Sequence, residues 1–396
     1  MKSCFGTAII ECSEVILNRI TIAHLITELN MGGAERMLEK LVSRMDRKRF
    51  RSIVVSMTDI GPIGEKIIAD RIPVFNLGMV SGRFNLIRTV KFFRFLRRES
   101  VDIIQSWLYH ADLLGLVVGK LVGVRRIVWG IRCSDMDFRN YRALTSLIVK
   151  VNSKLSFMTN SIVVNSVMGK KVHQKIGYRK KKMIVIPNGF DTEKFYPDKT
   201  AKKFLLDQMG LLNDTILIGI VARWDPMKDH ENFLKAACVL AEKEASVHYI
   251  MVGLGVDSEN QRIRSFMNNS ILKDRLHLLG LRKDVARIMA ALDIVSSSSA
   301  YGEGFSNTLG EAMACGVPCV VTDVGDSARI VGDTGRVVPP KDPQALANAW
   351  KGLIDIGQEG RHSLGLLARK RIEEHFEISK VVKQYEELYT SLVANG

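Results

Sequence analysis

Two doubly wound α/β domains in tandem, facing each other across a cleft, are the architecture this sequence predicts, and three observations predict it. Short β-branched runs alternate with longer helical stretches along the chain, the pattern of βαβ units and parallel sheets. At 396 residues the chain exceeds the roughly 250 to 300 at which a single hydrophobic core stops growing. A turn-rich patch, Pro187-Asn188-Gly189 to Tyr196-Pro197-Asp198, interrupts the alternation near the middle, and the rhythm then restarts.

In the first half the strands are Ile20 to Thr27, Arg51 to Met57, Val101 to Ser106, Arg126 to Gly130, Ser161 to Asn165 and Met183 to Pro187. In the second they are Ile216 to Val221, Val247 to Val252, Leu276 to Leu279, Ile294 to Ser297 and Pro318 to Thr322. The expected domains are therefore 1–189, with 1–19 an extension ahead of the first strand, and 190–374, hinged near Asn188-Gly189. Residues 375–396 form a last helix, in which Val382, Tyr385, Leu388 and Tyr389 recur at helical spacing and pack back on the first domain.

The content of 46% apolar and 25% charged residues supplies two cores and excludes a disordered chain. No apolar run reaches the ~18 residues of a membrane span. The longest, Leu113 to Val124, is cut by Lys120. The first twenty residues carry Glu11 and Glu14 and lack the basic start, apolar stretch and small-residue cleavage site of a secretory leader. The six cysteines, Cys4, Cys12, Cys133, Cys238, Cys315 and Cys319, match no zinc spacing and read as reduced thiols of a cytoplasmic protein.

Charge is uneven. Residues 1–190 hold 32 Lys and Arg against 14 Asp and Glu, while the remainder holds 25 against 28. An anionic partner for the first half follows, and nucleic acid and anionic lipid both satisfy it electrostatically. No nucleic-acid recognition motif accompanies the charge, and aromatic residues are only 7%. In Phe84 to Arg98, by contrast, Arg88, Lys91, Arg94 and Arg98 gather on one side of a helical wheel and Leu86, Val90, Phe92, Phe93 and Leu96 on the other. Ile87 and Phe95 fall among the cations, as in a helix lying in an anionic membrane surface.

Three segments carry the chemistry. In Leu25 to Arg36 (LITELNMGGAER) a strand runs into Gly32-Gly33 and then a helix near Ala34. A glycine pair lets bare backbone N–H groups approach a phosphate, and serves equally as a tight turn. The three-glycine dinucleotide fingerprint is absent, which speaks against a nicotinamide cofactor. In Ile216 to His230 (ILIGIVARWDPMKDH) a strand ends at Ala222 and releases Arg223, with Lys228 at the following helix start. Two cations at the C-terminal edge of a parallel sheet suit a pyrophosphate, although an isolated pair of this kind is commonly just solvated. As a leaving nucleoside diphosphate gathers charge, fixed cations stabilise the transition state more than the ground state.

The third segment, Asp293 to Thr322 (DIVSSSSAYGEGFSNTLGEAMACGVPCVVT), is the most telling. A strand ends in a serine-rich loop, Glu303-Gly304-Phe305 follows, a helix begins near Asn307, and Glu311 stands eight residues after Glu303. Glu303 on the loop suits sugar hydroxyls and Glu311 in the helix suits a ribose diol. Between them the N–H groups of Phe305, Ser306, Asn307 and Thr308 offer a helix-terminus phosphate site. Spacing alone also fits a helix with two unrelated glutamates.

Together, MGGAER, the Arg223 and Lys228 pair, PNGFD (Pro187 to Asp191) and EGFSNTLGEAMACGVPCVVTDVG (Glu303 to Gly325) resemble the retaining GT-B glycosyltransferases of family 4, from about residue 20 to the C-terminus. The resemblance implies the GT-B fold of two Rossmann-like domains and transfer of a hexose from a nucleotide-sugar donor to an acceptor in cell-surface glycan assembly, on a glycan or a lipid carrier. It implies Gly33 at the donor phosphate, Arg223 and Lys228 at the pyrophosphate, Glu303 at the hexose, Glu311 at the ribose, Leu281, Arg282 and Val285 at the base, and Gly304 among the donor-binding residues. His110 in SWLYHADLLG resembles the family histidine on the acceptor side; an isolated histidine there fits a structural role as well. The donor is a substrate, so no cofactor is expected. Ser134-Asp135-Met136-Asp137 contains a DxD, the metal signature of a different glycosyltransferase architecture, but the cation pair already neutralises a pyrophosphate and no metal is expected. Asp326 departs from the pattern, standing where many relatives show a second glycine. A sugar-nucleotide epimerase or hydrolase on the same fold is the alternative among enzymes, and a basic nucleic-acid-binding module the alternative outside them.

Overall fold

A computed structural model describes residues 19–80, 85–134, 142–268 and 271–394. The leading extension through Asn18, Phe84 and the Asp135 to Asp137 motif lie outside the described residues. The first sheet comprises β1 (Ile20–Ile26), β2 (Phe50–Ser56), β3 (Val74–Asn76), β4 (Ile103–Trp107), β5 (Arg126–Ile131), β6 (Ser161–Val164) and β7 (Met183–Val185). The second comprises β8 (Ile216–Val221), β9 (Val247–Val252), β10 (Leu276–Leu278), β11 (Ile294–Ser297), β12 (Cys319–Thr322) and β13 (Arg336–Val338). The strand orders are β3-β2-β1-β4-β5-β6-β7 and β10-β9-β8-β11-β12-β13, parallel throughout. The alternation pattern omits β3 and β13, although it includes β7 and β10, which are edge strands of the same three-residue length.

Among the described residues of the first half the helices are α1 (Gly33–Arg44), α2 (Gly61–Ala69), α3 (Leu86–Arg98), α4 (Tyr109–Val122), α5 (Ala143–Leu155) and α6 (Val167–Ile176). The second half adds α7 (Ala201–Met209), α8 (His230–Ala241), α9 (Gln261–Asn268), α10 (Val285–Ala291), α11 (Asn307–Ala314), α12 (Ser327–Val331), α13 (Pro343–Asp355) and α14 (Gly357–His375). In both sheets the chain starts centrally, winds outward, and restarts on the other side, at β1/β4 and at β8/β11. There the loops leaving adjacent strands diverge and open a crevice, where open α/β sheets bind their ligands.

The chain crosses between the halves twice, and the two crossings pair. Phe190 N–H donates to the Phe376 carbonyl at 2.8 Å, and Ile378 N–H to the Phe190 carbonyl at 2.9 Å. The last helix, α15 (Ile378–Ala394), then returns to the first sheet. Its Val381, Val382, Tyr385 and Tyr389 share a core with Ile22, Ile26 and Trp107. Each buried aromatic removes roughly 150–250 Å² from water, so the return is firmly anchored. Arg126 adds bonds to the Leu392 and Val393 carbonyls at 2.7 and 3.1 Å.

On α3 the structure departs from the helical wheel. Leu86 and Ile87 are 66% and 79% exposed and Val90 is exposed too, whereas Phe95 is buried and stacks on Phe75 at 4.6 Å. Lys91 is drawn under the helix, donating to the Asn76 carbonyl at 2.7 Å with its ammonium over the Phe75 ring. A wheel assumes one buried stripe along the whole helix, but in the first turn of α3 Leu86 and Ile87 are exposed and Arg88 and Thr89 only half-buried, so the buried stripe begins at Phe92. Helix α4 packs beside α3 and α5 and leaves Val117 and Leu121 exposed, as α5 leaves Leu144 and Leu147. Among the described residues no helix is long and apolar enough to cross a membrane.

Candidate functional site

The crevice of the second sheet is assembled by loops that brace one another. Beyond β8, Asp225 accepts the Met227 N–H at 2.9 Å and starts a tight turn, Pro226–Lys228, just ahead of α8. Ser298, beyond β11, donates its hydroxyl to the Lys228 and Asp229 carbonyls at 2.8 and 2.9 Å, so one side of the crevice pins the other. The ammonium of Lys228 then meets the buried carboxylate of Glu303 directly, and Ser299 Oγ donates to the same Oε2 at 3.1 Å. Two residues singled out separately from the sequence are thus each other's partners. Arg223 is more exposed and pairs with Asp225 at 2.9 Å.

The Glu303 loop is wedged against the first half. Ser134 Oγ donates to the Glu303 carbonyl, and a Cβ at Gly304 would lie 3.0 Å from the Arg132 carbonyl. Gly325, at φ +62°, lies under the Glu303 carbonyl, where any side chain would collide. Its neighbour Asp326 reaches across to the first half and accepts the N–H groups of Val167 and Met168 at 2.8 and 2.9 Å. These are the first residues of α6, so a carboxylate of one half caps a helix of the other where the helix dipole favours an anion.

Helix α11 is the expected phosphate cradle. Its N-cap, Ser306, makes no side-chain cap bond, and among the described residues no acceptor takes the N–H of Ser306, Asn307 or Thr308. Those groups are therefore open to an anion. Phe305 buries its ring against Phe190 and Phe376 with centroids 6.0 and 5.3 Å away, which leaves its backbone to meet a ligand. Thr308 Oγ1 is taken up by the Val221 carbonyl at 3.0 Å. Glu311, in the second turn, is buried and faces Lys40 of α1 at 3.7 Å. Burial pulls the Lys40 ammonium below the usual lysine range, with Glu311 opposing that shift.

Opposite α11 stands the glycine loop after β1. Gly32 is an extended N-cap to α1 with no side-chain cap bond, and a Cβ on Gly33 would lie 3.2 Å from Asn307 Nδ2. The glycine loop and the start of α11 thus face each other closely across the cleft. Glu35 folds back over Gly32, and burial raises its carboxyl.

His110 is the second residue of α4, and its position comes from backbone strain. Leu108, the N-cap, holds φ +75°, a conformation that non-glycine residues rarely keep unless their surroundings enforce it. Here Leu108 N–H donates to the Gly130 carbonyl at 3.0 Å. Asp112, one turn on and fully buried, accepts Ser106 Oγ at 2.6 Å and Gly130 N–H at 3.2 Å. Burial pushes that carboxyl up to about 8 and lowers the His110 imidazole below its ordinary value.

Leu281, Arg282 and Val285 follow β10, two strands out from the switch point. Leu281 is exposed, Arg282 is clamped to Asp284 at 2.7 and 2.8 Å, and Val285 opens α10. Sequence reasoning missed Lys40, Arg132, Asn188 and the cross-cleft role of Asp326. Each acts on a residue far away in the chain. Asn188 and Asp326 left signals, the first within the hinge and PNGFD, the second as a departure from the resemblance, but neither signal names a partner.

Two family profiles match this chain. One, described as Glycosyltransferase Family 4, covers residues 31–194, and the other, described as Glycosyl transferases group 1, covers residues 215–355. The UDP-Gal:alpha-D-GlcNAc-diphosphoundecaprenol alpha-1,3-galactosyltransferase of Escherichia coli is 24% identical over 96% of this chain and 98% of its own. The capsular polysaccharide biosynthesis glycosyltransferase CapM of Staphylococcus aureus is 23% identical over 80% of this chain and 83% of its own. Among solved structures, Anabaena Alr3699/HepE in complex with UDP-glucose matches with a TM-score of 0.80 at 23% identity, over 94% of this chain and 99% of that one. A glycosyltransferase from Rickettsia africae ESF-5 matches with a TM-score of 0.83 at 17% identity, over 96% and 100%. Two parallel sheets facing across a cleft are thus the GT-B fold.

Proposed function

Because the chain belongs to glycosyltransferase family 4, the group 1 glycosyl transferases, we propose that it moves a hexose from a UDP-sugar, with retention, onto an acceptor hydroxyl of a lipid-linked or polysaccharide intermediate in cell-surface glycan assembly. One observation carries the reading: at the β8/β11 switch point two cations, a buried carboxylate and an uncapped helix N-terminus converge on one cleft. The E. coli relative is named for a UDP-Gal donor and a diphosphoundecaprenol-linked acceptor, and the Anabaena structure holds UDP-glucose, which supports both ends of the reaction.

In this reading the donor pyrophosphate lies between the Gly33 loop and α11, taking N–H groups of Ser306, Asn307 and Thr308 and the charges of Arg223 and Lys228. Lys228 exchanges Glu303 for phosphate, and Glu303, with the Gly304 backbone beside it, turns to the hexose hydroxyls. Glu311 exchanges Lys40 for the ribose diol, and Leu281, Arg282 and Val285 border the base. As the glycosidic bond breaks, negative charge grows on the departing UDP where the cations and N–H dipoles are already aimed, so stabilisation is greatest at the transition state. His110 orients the sugar and the acceptor, and the departing phosphate collects the acceptor proton. This scheme requires neither cofactor nor metal.

A lipid-linked acceptor needs a membrane beside the cleft. The exposed apolar residues of α3, α4 and α5, set among Arg94, Arg97, Lys120 and Lys150, form the face we assign to an anionic membrane surface. The test combines thermal stabilisation across nucleotide sugars with transfer of radiolabelled hexose to membrane extract. A UDP-sugar is expected to stabilise the protein and its label to move to lipid. A sugar altered or released without transfer would instead identify an epimerase or hydrolase.

A further inference from the structure

A helix that caps its own N-terminus fills the N–H groups an anion would need; one that leaves them open must be held by something else. Helix α11 is of the second kind, since Ser306 caps nothing. What holds it is Asn188, a buried residue of the first interdomain crossing. Asn188 Nδ2 donates to the Phe305 carbonyl at 3.3 Å and to Asn307 Oδ1 at 3.0 Å, gripping the chain on both sides of Ser306.

The Asn188 amide is oriented in turn. Its Oδ1 accepts from Arg132 Nη1 at 3.1 Å, and because a guanidinium only donates, the oxygen must face Arg132 and the nitrogen must face α11. Arg132, just beyond β5, is fixed on two further sides: Nη2 donates to Tyr385 Oη at 2.6 Å, and the guanidinium lies 4.2 Å from the Trp107 ring centroid. Tyr385 is fully buried in α15. A continuous polar chain therefore runs from the C-terminal helix through Arg132 and Asn188 to the open end of α11.

We propose that Arg132 and Asn188 are positioning residues that hold the N-terminus of α11 at the donor phosphate, with Tyr385 anchoring them from the C-terminal helix. The inference rests on reading that terminus as the phosphate site. Asn188→Asp keeps an acceptor for Arg132 but turns a second oxygen toward Phe305 and Asn307, and Arg132→Lys keeps the charge but loses the fork. Tyr385→Phe removes one hydroxyl from an otherwise unchanged core.

The experiment is calorimetric titration of the full chain and the three variants with UDP, beside their melting temperatures. The dissociation constant is expected to rise about tenfold for Asn188→Asp, somewhat less for Arg132→Lys, and about two- to threefold for Tyr385→Phe. Tyr385→Phe keeps the test open if a polar substitution prevents folding. A wild-type protein that ignores UDP sinks both this inference and the reading beneath it. Wild-type binding with unchanged affinity in the folded variants, whatever their melting temperatures, sinks this inference alone and leaves Arg132 and Asn188 a purely structural role.

Discussion

The crevice between β8 and β11 and the crevice between β1 and β4 are built by the same winding rule, yet they are furnished in opposite ways. The second-half crevice draws its groups from short runs of chain and braces them locally: Arg223 on Asp225, Ser298 on Lys228 and Ser299 on Glu303. The first-half crevice presents a bare glycine loop and a strained turn before His110, and its strongest polar groups reach outward. Lys40 faces Glu311, Arg132 and Asn188 hold α11, and α6 is capped by Asp326. One half carries the candidate donor site, and the other closes it, steadies it and bears the basic outer face.

The largest expected effect tests the second half. Lys228→Ala should lower kcat/KM for transfer by about 10²–10³-fold, as removal of one preorganised charge at a developing anion does. A loss under about threefold in steady-state radiolabel transfer would break the contrast. For the first half the decisive measurement is vesicle sedimentation. Replacing Arg94 and Arg97 by glutamine removes about 1 kcal/mol of attraction to an anionic surface for each charge, a loss of roughly 30-fold in partitioning to phosphatidylserine vesicles. Donor KM should not move; if it does, the outer face and the cleft are not independent.

Glu311→Ala sharpens the comparison within the donor site. It should raise donor KM about tenfold with kcat nearly unchanged, the sign of binding lost equally in ground and transition states. An equal fall in kcat would relocate Glu311 toward the reacting sugar. The smallest expected effect is that of Asp326→Ala, which removes a cap worth about 1 kcal/mol. Amide exchange should quicken at Val167 and Met168, the two groups that lose their acceptor, and unchanged exchange there would show that the halves do not depend on this contact.

The legible parts share one property: their physics is local. Most strands show as short apolar runs, the three-residue β7 and β10 among them, whereas β3 and β13 of the same length show nothing. The Glu303 to Thr308 segment reads as a loop entering a helix because glycine, serine and asparagine collect where N–H groups go unpaired. Within it, the direction of the Phe305 side chain is not local, since the ring turns into the core to meet Phe190 and Phe376. The α3 wheel failed over its first turn for a related reason: amphipathic spacing reports which residues share a side, and neighbouring elements decide how far along the helix that side is covered.

By itself, the sequence determined two wound sheets, the loops that emerge at their switch points, and the residue types near them: Arg223, Lys228 and Glu303, Glu311 in the helix that follows, and a glycine pair after the first strand. These follow from backbone preferences and periodicity acting over a few residues. Only the tertiary structure decided who meets whom. Lys228 is joined to Glu303, Lys40 to Glu311, Asp326 to α6, and Arg132 through Asn188 to α11. All but the first of these link the two halves, so they depend on how one sheet faces the other. That orientation is held by the paired crossings at Phe190 and Glu377 and by the return of α15 to the first core. A contact between rigid bodies depends on the angle between them, and no stretch of either chain half contains that angle.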